Sequence, residues 1–169
     1  MPGAIHRVLQ DDHARLDALL TRAVQAPDAI DQGAFDEFCA GLFRHIAMEE
    51  KVLFAEAAKL RGGVPLEIEQ QLRADHAALG ALMVPTPTRD TIASIRAILA
   101  EHNPLEEGPG GLYDVCEGLF GAGCEDALLR LRAVPKARAP RHVDGPHVQD
   151  GVAKLLRARK AARGGGGLP

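Results

Sequence analysis

The feature that most constrains the fold of this chain is a pattern that occurs twice and places histidine at matching positions. The segment DDHARLDALL at 11–20 is repeated as ADHAALGALM at 74–83. The segment RHIAMEEKVLF at 44–54 is matched more loosely by EHNPLEEGPGGLY at 101–113. Each half therefore supplies one lone histidine, then a histidine and a glutamate four residues apart: His13, His45, Glu49, His76, His102 and Glu106.

Four segments with helical periodicity carry these residues and predict an all-α protein. They run over about 4–26, 34–60, 65–84 and 90–107, and are bounded by proline or glycine at Pro27, at RGG, at PTPT and at GPGG. Ala and Leu dominate the apolar residues and aromatic residues make up 4 % of the chain, a composition that favours helices over sheets. Because the linkers are short, we expect an up-and-down antiparallel four-helix bundle.

The chain continues beyond these four segments with extra C-terminal helical segments. Helical periodicity covers about 112–133, with an interruption by GAG at 121–123. A Pro- and Arg-rich linker at 134–147 precedes a basic helix, VQDGVAKLLRARKAAR, and a Gly-rich tail that we expect to fray. We therefore divide the chain into a helical bundle at 1–133 and an extension at 134–169.

The six repeated residues lie inside the apolar stripes of their segments. On the first segment, for example, His13 continues a stripe of Leu9, Leu16 and Leu20. Such a stripe is the face that a bundle helix buries, and an unpaired buried imidazole or carboxylate costs several kcal/mol. Six of these groups in one core therefore indicate bound cations, and ligands from four helices can hold two metal ions.

Three further residues are open alternatives as ligands. His6 lies on nearly the same face as His13, although we expect a partly exposed histidine near the helix end. Glu50 and Glu107 fall beside the stripes, where either could substitute for a neighbouring ligand.

Other chemically active residues near the motifs are predicted to have no role in the site. Asp12 and Asp75 precede lone histidines but point about 100° away from them, so we expect both to be exposed. Tyr113 could contact the ligands or simply be packed in the core, and we expect the packing. His142 and His147 lie in the linker and are predicted to be solvated.

Taken together, the segments DDHARLDALL, FRHIAMEEKVLF, ADHAALGALM and EHNPLEEGPGGLY resemble the hemerythrin-like, or HHE cation-binding, domain family over about residues 5–115. The resemblance implies an up-and-down four-helix bundle with a non-haem di-iron site. Carried over residue by residue, it implies that the metal ligands are His13, His45, Glu49, His76, His102 and Glu106.

One departure from the family concerns oxygen carriage. Oxygen-carrying hemerythrins add a fifth histidine one turn before the third-helix ligand, and this chain has Leu72 there. The resemblance therefore argues against reversible oxygen carriage. It leaves the sensing of oxygen, nitric oxide or redox state, and the handling of iron.

A second departure is Pro104, which lies between His102 and Glu106. Proline removes a helical hydrogen bond and crowds the carbonyl four residues back. The segment NPLE can instead be interpreted as a new helix start, with Asn103 as the N-cap and Glu106 at N3. In that case the His102–Glu106 geometry would differ from that of an unbroken helix.

Composition excludes several other classes of function. The formal net charge is -3 with histidine neutral, which implies no general attraction to nucleic acid. No apolar run approaches the length of a membrane span, and the N-terminus does not resemble a signal peptide. The three cysteines (Cys39, Cys116 and Cys124) form no C-x-x-C pair. An odd number of cysteines without a signal peptide is typical of a cytoplasmic protein.

We therefore expect a non-haem di-iron protein that binds or senses oxygen or another small diatomic molecule such as nitric oxide, or that handles iron. The nitrogen and oxygen ligand set suits two iron ions, with zinc or manganese as substitutes. A binding protein is favoured over an enzyme, so no catalytic residue is assigned. The ferritin-like pattern is disfavoured because the chain contains no E-x-x-H.

Two alternatives remain open. The first is a di-iron oxidase, a peroxidase or a nitric oxide-processing enzyme that acts at an open coordination position. The second is a bundle without metal that acts through its basic C-terminal helix as an interaction module.

Overall fold

The computed structural model describes residues 2–164, and these residues form helices and connecting loops with no β-strand. The bundle consists of α1 (Ala4–Ala23), α2 (Gln32–Met48), α4 (Glu69–Leu82) and α5 (Arg89–Glu107). Helix α2 continues without a break into a π-helical segment (Glu49–Phe54) and then α3 (Ala55–Leu60). The all-α class and the helical bundle predicted from the sequence are confirmed.

Local chemistry explains where the bundle helices begin and end. The Asp31 side chain accepts a hydrogen bond from the backbone N–H of Ala34 and caps α2, and Thr88 caps α5 in the same way. After α3, Gly62 and Gly63 have positive φ values of 69° and 92°, which explains why the chain turns at RGG. Helix α4 starts later than predicted, because the residues after Pro65 form a turn before Glu69.

Helix α5 runs unbroken through Pro104, and the alternative of a new helix start at Asn103 is not observed. The loss of one backbone hydrogen bond near the end of the helix is tolerated there, and the carbonyl of Pro104 itself accepts from the N–H of Gly108 at 3.0 Å. His102 and Glu106 therefore keep the i, i+4 spacing of one helical face.

The C-terminal part adds α6 (Leu112–Phe120), a 3₁₀ turn at Gly121–Gly123, α7 (Cys124–Ala133) and α8 (Pro146–Gly164). The predicted interruption at GAG is thus a 3₁₀ turn. Helix α6 packs against α1, α3 and α5, whereas α8 packs along α4. The Gly-rich tail predicted beyond Gly164 lies outside the described residues.

Two apolar clusters fill the bundle, one on each side of a polar layer. Helix α1 contributes Leu9 to one cluster and Leu16 to the other, with His13 between them. Helix α4 contributes Leu72 and Leu79 in the same way. The polar layer is therefore enclosed at both ends by close-packed apolar side chains. None of the helices in the described part of the chain has the length and apolar character that crossing a membrane requires.

Candidate metal centre

The structure brings all six residues singled out by the repeat into the polar layer. Each is buried, from fully in the case of Glu49 and Glu106 to 8 % exposed in the case of His13. They form two groups of four whose nitrogen and oxygen atoms lie within 4.8 Å of one another. The first group is His13, His45, Glu49 and Glu106, and the second group is Glu49, His76, His102 and Glu106.

The two glutamates belong to both groups because each extends one oxygen to each side. Glu49 Oε1 lies 3.2 Å from His45 Nε2, and Glu49 Oε2 lies 3.2 Å from His76 Nε2. Glu106 Oε2 lies 3.4 Å from His13 Nε2, and Glu106 Oε1 lies 2.9 Å from His102 Nε2. Each of the two carboxylates therefore faces histidines of both groups.

Several of these atoms are close to one another without being hydrogen-bonded. Glu49 Oε2, Glu106 Oε1 and His76 Nε2 are buried and have no hydrogen-bond partner among the described residues. Leaving a buried polar group unsatisfied costs about 1–3 kcal/mol. All three belong to the second group, so their convergence fits a position for a cation that the protein alone leaves unsatisfied.

Outside the two groups, carboxylates on adjacent helices face the Nδ1 atoms of the histidines. Each of these carboxylates belongs to a residue that is adjacent in sequence to a member of one of the groups, and it contacts the histidine of the next helix. The four contacts therefore link α1, α2, α4 and α5 in a ring. The Nδ1–oxygen distances are 3.0 Å for Asp12 to His45, 2.9 Å for Glu50 to His76, 3.0 Å for Asp75 to His102 and 3.6 Å for Glu107 to His13. Such partners fix the ring orientation and leave Nε2 free for a cation.

The expectation that Asp12 and Asp75 are exposed is wrong. The Asp75 side chain is fully buried, and that of Asp12 is only 13 % exposed. The angular position on an isolated helix does not predict the burial of these two aspartates, because the adjacent helix covers the surface beside the apolar stripe. A signal was present in the sequence, since the dipeptides Asp-His and Glu-Glu each occur in both halves of the repeat.

A π-helical segment begins at Glu49, and its first two residues are consecutive glutamates that contact one imidazole. Glu49 approaches Nε2 of His76, and Glu50 approaches Nδ1 of the same ring. Phe54, at the end of the π segment, stacks on that ring with an interplanar angle of 14°. Glu50 therefore lies outside the groups, on the far side of His76 from the shared carboxylates. π-Helical turns occur frequently at functional sites.

Tyr113 is a member of the site, which the sequence indicated only as the less favoured alternative. Its side chain is fully buried, and its hydroxyl donates a hydrogen bond to Glu49 Oε1 at 2.7 Å. The hydroxyl oxygen of Tyr113 also lies 3.3 Å from His13 Nε2, 3.4 Å from His45 Nε2 and 3.3 Å from Glu106 Oε2. The expectation of simple core packing is therefore wrong. The placement depends on the glycine turn after α5, which directs the first turn of α6 into the bundle.

The remaining histidines lie outside both groups. His6 is buried rather than partly exposed as expected, and its Nδ1 pairs with Asp114 Oδ1 at 3.0 Å. His142 is half-buried rather than solvated, because its Nε2 lies 2.9 Å from Asp36 and its ring packs on Phe35. His147 is exposed, as predicted.

The charges in the site show what replaces a cation when none is bound. Burial disfavours protonation of His45, but the Glu49 carboxylate and the hydrogen bond with Asp12 outweigh it and raise the pKa to about 10. In the same way, despite burial, carboxylate contacts raise the pKa of His76 to about 11 and that of His102 to about 9. Burial and the repulsion from Glu106 would raise the pKa of Glu49, but the contacts with the imidazoles outweigh both and lower it to about 2. Protons on the imidazoles thus balance the buried carboxylates, and a cation would displace them.

Burial and the neighbouring carboxylates act in the same direction on Tyr113. They raise its pKa well above the ordinary value of 10.0. The phenol is therefore neutral when no cation is near.

A cavity of about 430 Å³ lies beside the first group, between α1 and α5. Its walls are largely apolar and include Leu16, Leu42 and Leu99. His13 and Glu107 form part of its lining, so the cavity reaches the edge of the polar layer.

Comparison with known proteins agrees with this geometry. The model of the hemerythrin HHE cation-binding domain matches residues 4–109, which contain all six residues of the two groups. Comparison with curated proteins and with solved structures gave no significant match. The buried His/Glu groups fit a metal-binding protein, and the match covers more than half of the chain. The chain therefore belongs to the hemerythrin HHE cation-binding domain family.

Proposed function

We propose that this protein is a non-haem di-iron protein that binds or senses a small diatomic molecule. Two iron ions would be held by the two groups, one by His13 and His45 and the other by His76 and His102, with Glu49 and Glu106 shared by both. The observation that carries this proposal is that each glutamate places one carboxylate oxygen beside a histidine of the first group and the other beside a histidine of the second group. Residues 1–133 form the metal-binding bundle, and residues 134–169 form an extension of it.

The donor set is compatible with iron. Four imidazole nitrogens and two carboxylates suit iron or manganese and also tolerate zinc. Tyr113 adds a phenol oxygen to the first group. Ligands that hold one ion at about 2.1 Å lie about 3 Å apart, and Tyr113 Oη has this spacing from four atoms of the first group. We therefore propose that Tyr113 would be an additional ligand of the first group, through its phenol oxygen in the deprotonated form.

The second group lacks an additional protein ligand. Leu72 lies one turn before His76 and is fully buried in the apolar cluster. Iron bound by this incomplete ligand set would offer a position for an exogenous small molecule and a means of electron transfer. Close-packed apolar clusters enclose the polar layer at both ends, and the adjoining cavity of about 430 Å³ reaches its edge at His13 of the first group. That cavity is large enough to admit oxygen or nitric oxide.

The experiment that tests this function loads the metal-free protein with ferrous iron under anaerobic conditions. Nitric oxide is then added to the ferrous form, and azide to the ferric form. We expect both additions to change the visible spectrum, and we expect oxygen to oxidise the ferrous form rather than to bind reversibly for hours. Iron-loaded protein whose spectrum responds to neither molecule would contradict a role in diatomic binding. Sustained turnover of hydrogen peroxide or nitric oxide would instead support the enzyme alternative.

A further inference from the structure

Helix α8 packs along α4 and extends two arginines to a residue of the metal centre. Arg159 Nε lies 2.8 Å from Asp75 Oδ1, and Arg163 Nη2 lies 2.7 Å from Asp75 Oδ2. Both arginines also contact Glu101 of α5, at 2.7 Å and 3.3 Å. The two side chains therefore join α4 to α5, the helices that supply His76 and His102.

The arginines lie on one face of α8 together with its apolar anchors. Val152 and Leu156 pack against the apolar cluster of the bundle, and Arg159 and Arg163 continue the same stripe at helical spacing. These contacts fix the position of α8 along the axis of α4. Two residues of the predicted basic helix, Arg159 and Arg163, are thus directed toward the bundle.

Asp75 is the residue through which α8 reaches the metal centre. It is fully buried, and its Oδ2 accepts the hydrogen bond of His102 Nδ1 at 3.0 Å. A buried carboxylate is tolerated when paired charges and hydrogen bonds compensate its desolvation. Arg159 and Arg163 supply that compensation while leaving His102 in contact with one oxygen.

The first group is supported differently. Its corresponding carboxylate, Asp12, is paired with Arg15 from the same helix, at 2.8 Å. That arginine is 49 % exposed, so the pair is screened by solvent. The two groups therefore differ in the arginines that pair with the carboxylate partners of their histidines.

We propose that Arg159 and Arg163 are positioning residues for the second group: α8 holds Asp75, and Asp75 holds the His102 imidazole in the orientation that binds a cation. The proposal rests on the proposed function and deepens it, because it makes the affinity of one of the two metal positions depend on the C-terminal helix. Outer partners of this kind change metal affinity by about 10–100-fold when they are removed.

The test is a titration of the metal-free protein with cobalt(II) chloride, followed by the visible absorption of the bound ion. The variant R159Q/R163Q removes both contacts with Asp75. The variant R157Q/K160Q is the matched control, because it removes two positive charges from exposed positions of the same helix. His102→Ala identifies which cobalt equivalent belongs to the second group.

In the wild type we expect two equivalents of cobalt to bind. In R159Q/R163Q we expect the second-group equivalent to weaken by about 10–100-fold while the other is unchanged, and R157Q/K160Q should match the wild type. Asp75→Asn should weaken the same equivalent, and combining it with R159Q/R163Q should weaken binding by less than the product of the separate effects, because all three side chains act on one contact.

Three results would overturn the proposal. Unchanged binding of both equivalents in R159Q/R163Q would show that α8 has no influence on the site. Equal weakening of both equivalents, with a lower melting temperature of the metal-free form, would show that α8 only stabilises the fold. Independent effects of Asp75→Asn and R159Q/R163Q would break the link through Asp75. Failure of the wild type to bind any cobalt would instead contradict the proposed function on which this inference rests.

Discussion

Tyr113 donates a hydrogen bond to Oε1 of Glu49 at 2.7 Å, in the centre of the bundle. The contact joins α6, which follows the four bundle helices, to a carboxylate shared by both groups. It makes the two halves of the site unequal, because no phenol oxygen of the described residues lies beside the second group.

This inequality gives a spectroscopic prediction. If the Tyr113 phenolate binds a ferric ion, the oxidised protein absorbs strongly in the visible region through phenolate-to-iron charge transfer. The chain has a single tyrosine, so such a band has one source. We expect Tyr113→Phe to remove the band while iron content stays near two ions per chain. A band of equal intensity in the variant would exclude Tyr113 as a ligand.

Replacing a shared residue should cost more metal than replacing an unshared one. Glu49 belongs to both groups, whereas His45 and His102 each belong to one. We expect Glu49→Ala to lose nearly all bound iron, and His45→Ala or His102→Ala to retain about one ion per chain. Elemental analysis measures this, with His147→Ala as the control because His147 is exposed. Loss of iron from the control, or equal loss from all three site variants, would contradict the bridged arrangement.

The carboxylates that face the Nδ1 atoms of the histidines should control metal affinity without being metal ligands themselves. Asp12→Asn keeps the shape of the side chain but removes the charge that faces His45 Nδ1. We expect the first-group ion to bind about 10–100-fold more weakly, while circular dichroism shows an intact helical fold. Asp11→Asn is the neighbouring control, since Asp11 is exposed. Equal affinities in the two variants would mean that Asp12 does not support His45.

The metal-free protein should lose stability as pH rises. The imidazoles of His102, His45 and His76 have pKa values of about 9, 10 and 11, above the ordinary value of 6.5. Their contribution to stability is therefore complete below pH 6.5 and is lost as the pH rises through the raised values. Glu49, with a pKa lowered from 4.5 to about 2, contributes above pH 4.5 and loses that contribution as the pH falls through 2.

Urea unfolding of the metal-free form at about pH 6 and about pH 9 tests this, and we expect the free energy of unfolding to be larger at about pH 6. Metal replaces the protons on the imidazoles, so metal affinity should rise with pH and binding should release protons. A free energy of unfolding that is unchanged or increased at the higher pH would contradict the charge balance derived for the site.

The parts of the site that the sequence revealed are those set by helical periodicity. His13 and His76 interrupt apolar stripes, and burial of those stripes brings the histidines together whatever the details of packing. Asp75 was assigned to solvent because its surroundings come from α5 and α8 rather than from its own helix. Tyr113 depends on the path of the glycine turn after α5. These contacts are tertiary, and no spacing within one segment specifies them.

The central claim is that each chain holds two iron ions in the paired groups. The most direct measurement is iron per chain after anaerobic reconstitution with ferrous iron and removal of the excess, in the wild type and in Glu49→Ala. We predict close to two ions per chain in the wild type and almost none in the variant. Less than about a quarter of an ion per chain in the reconstituted wild type would contradict the claim.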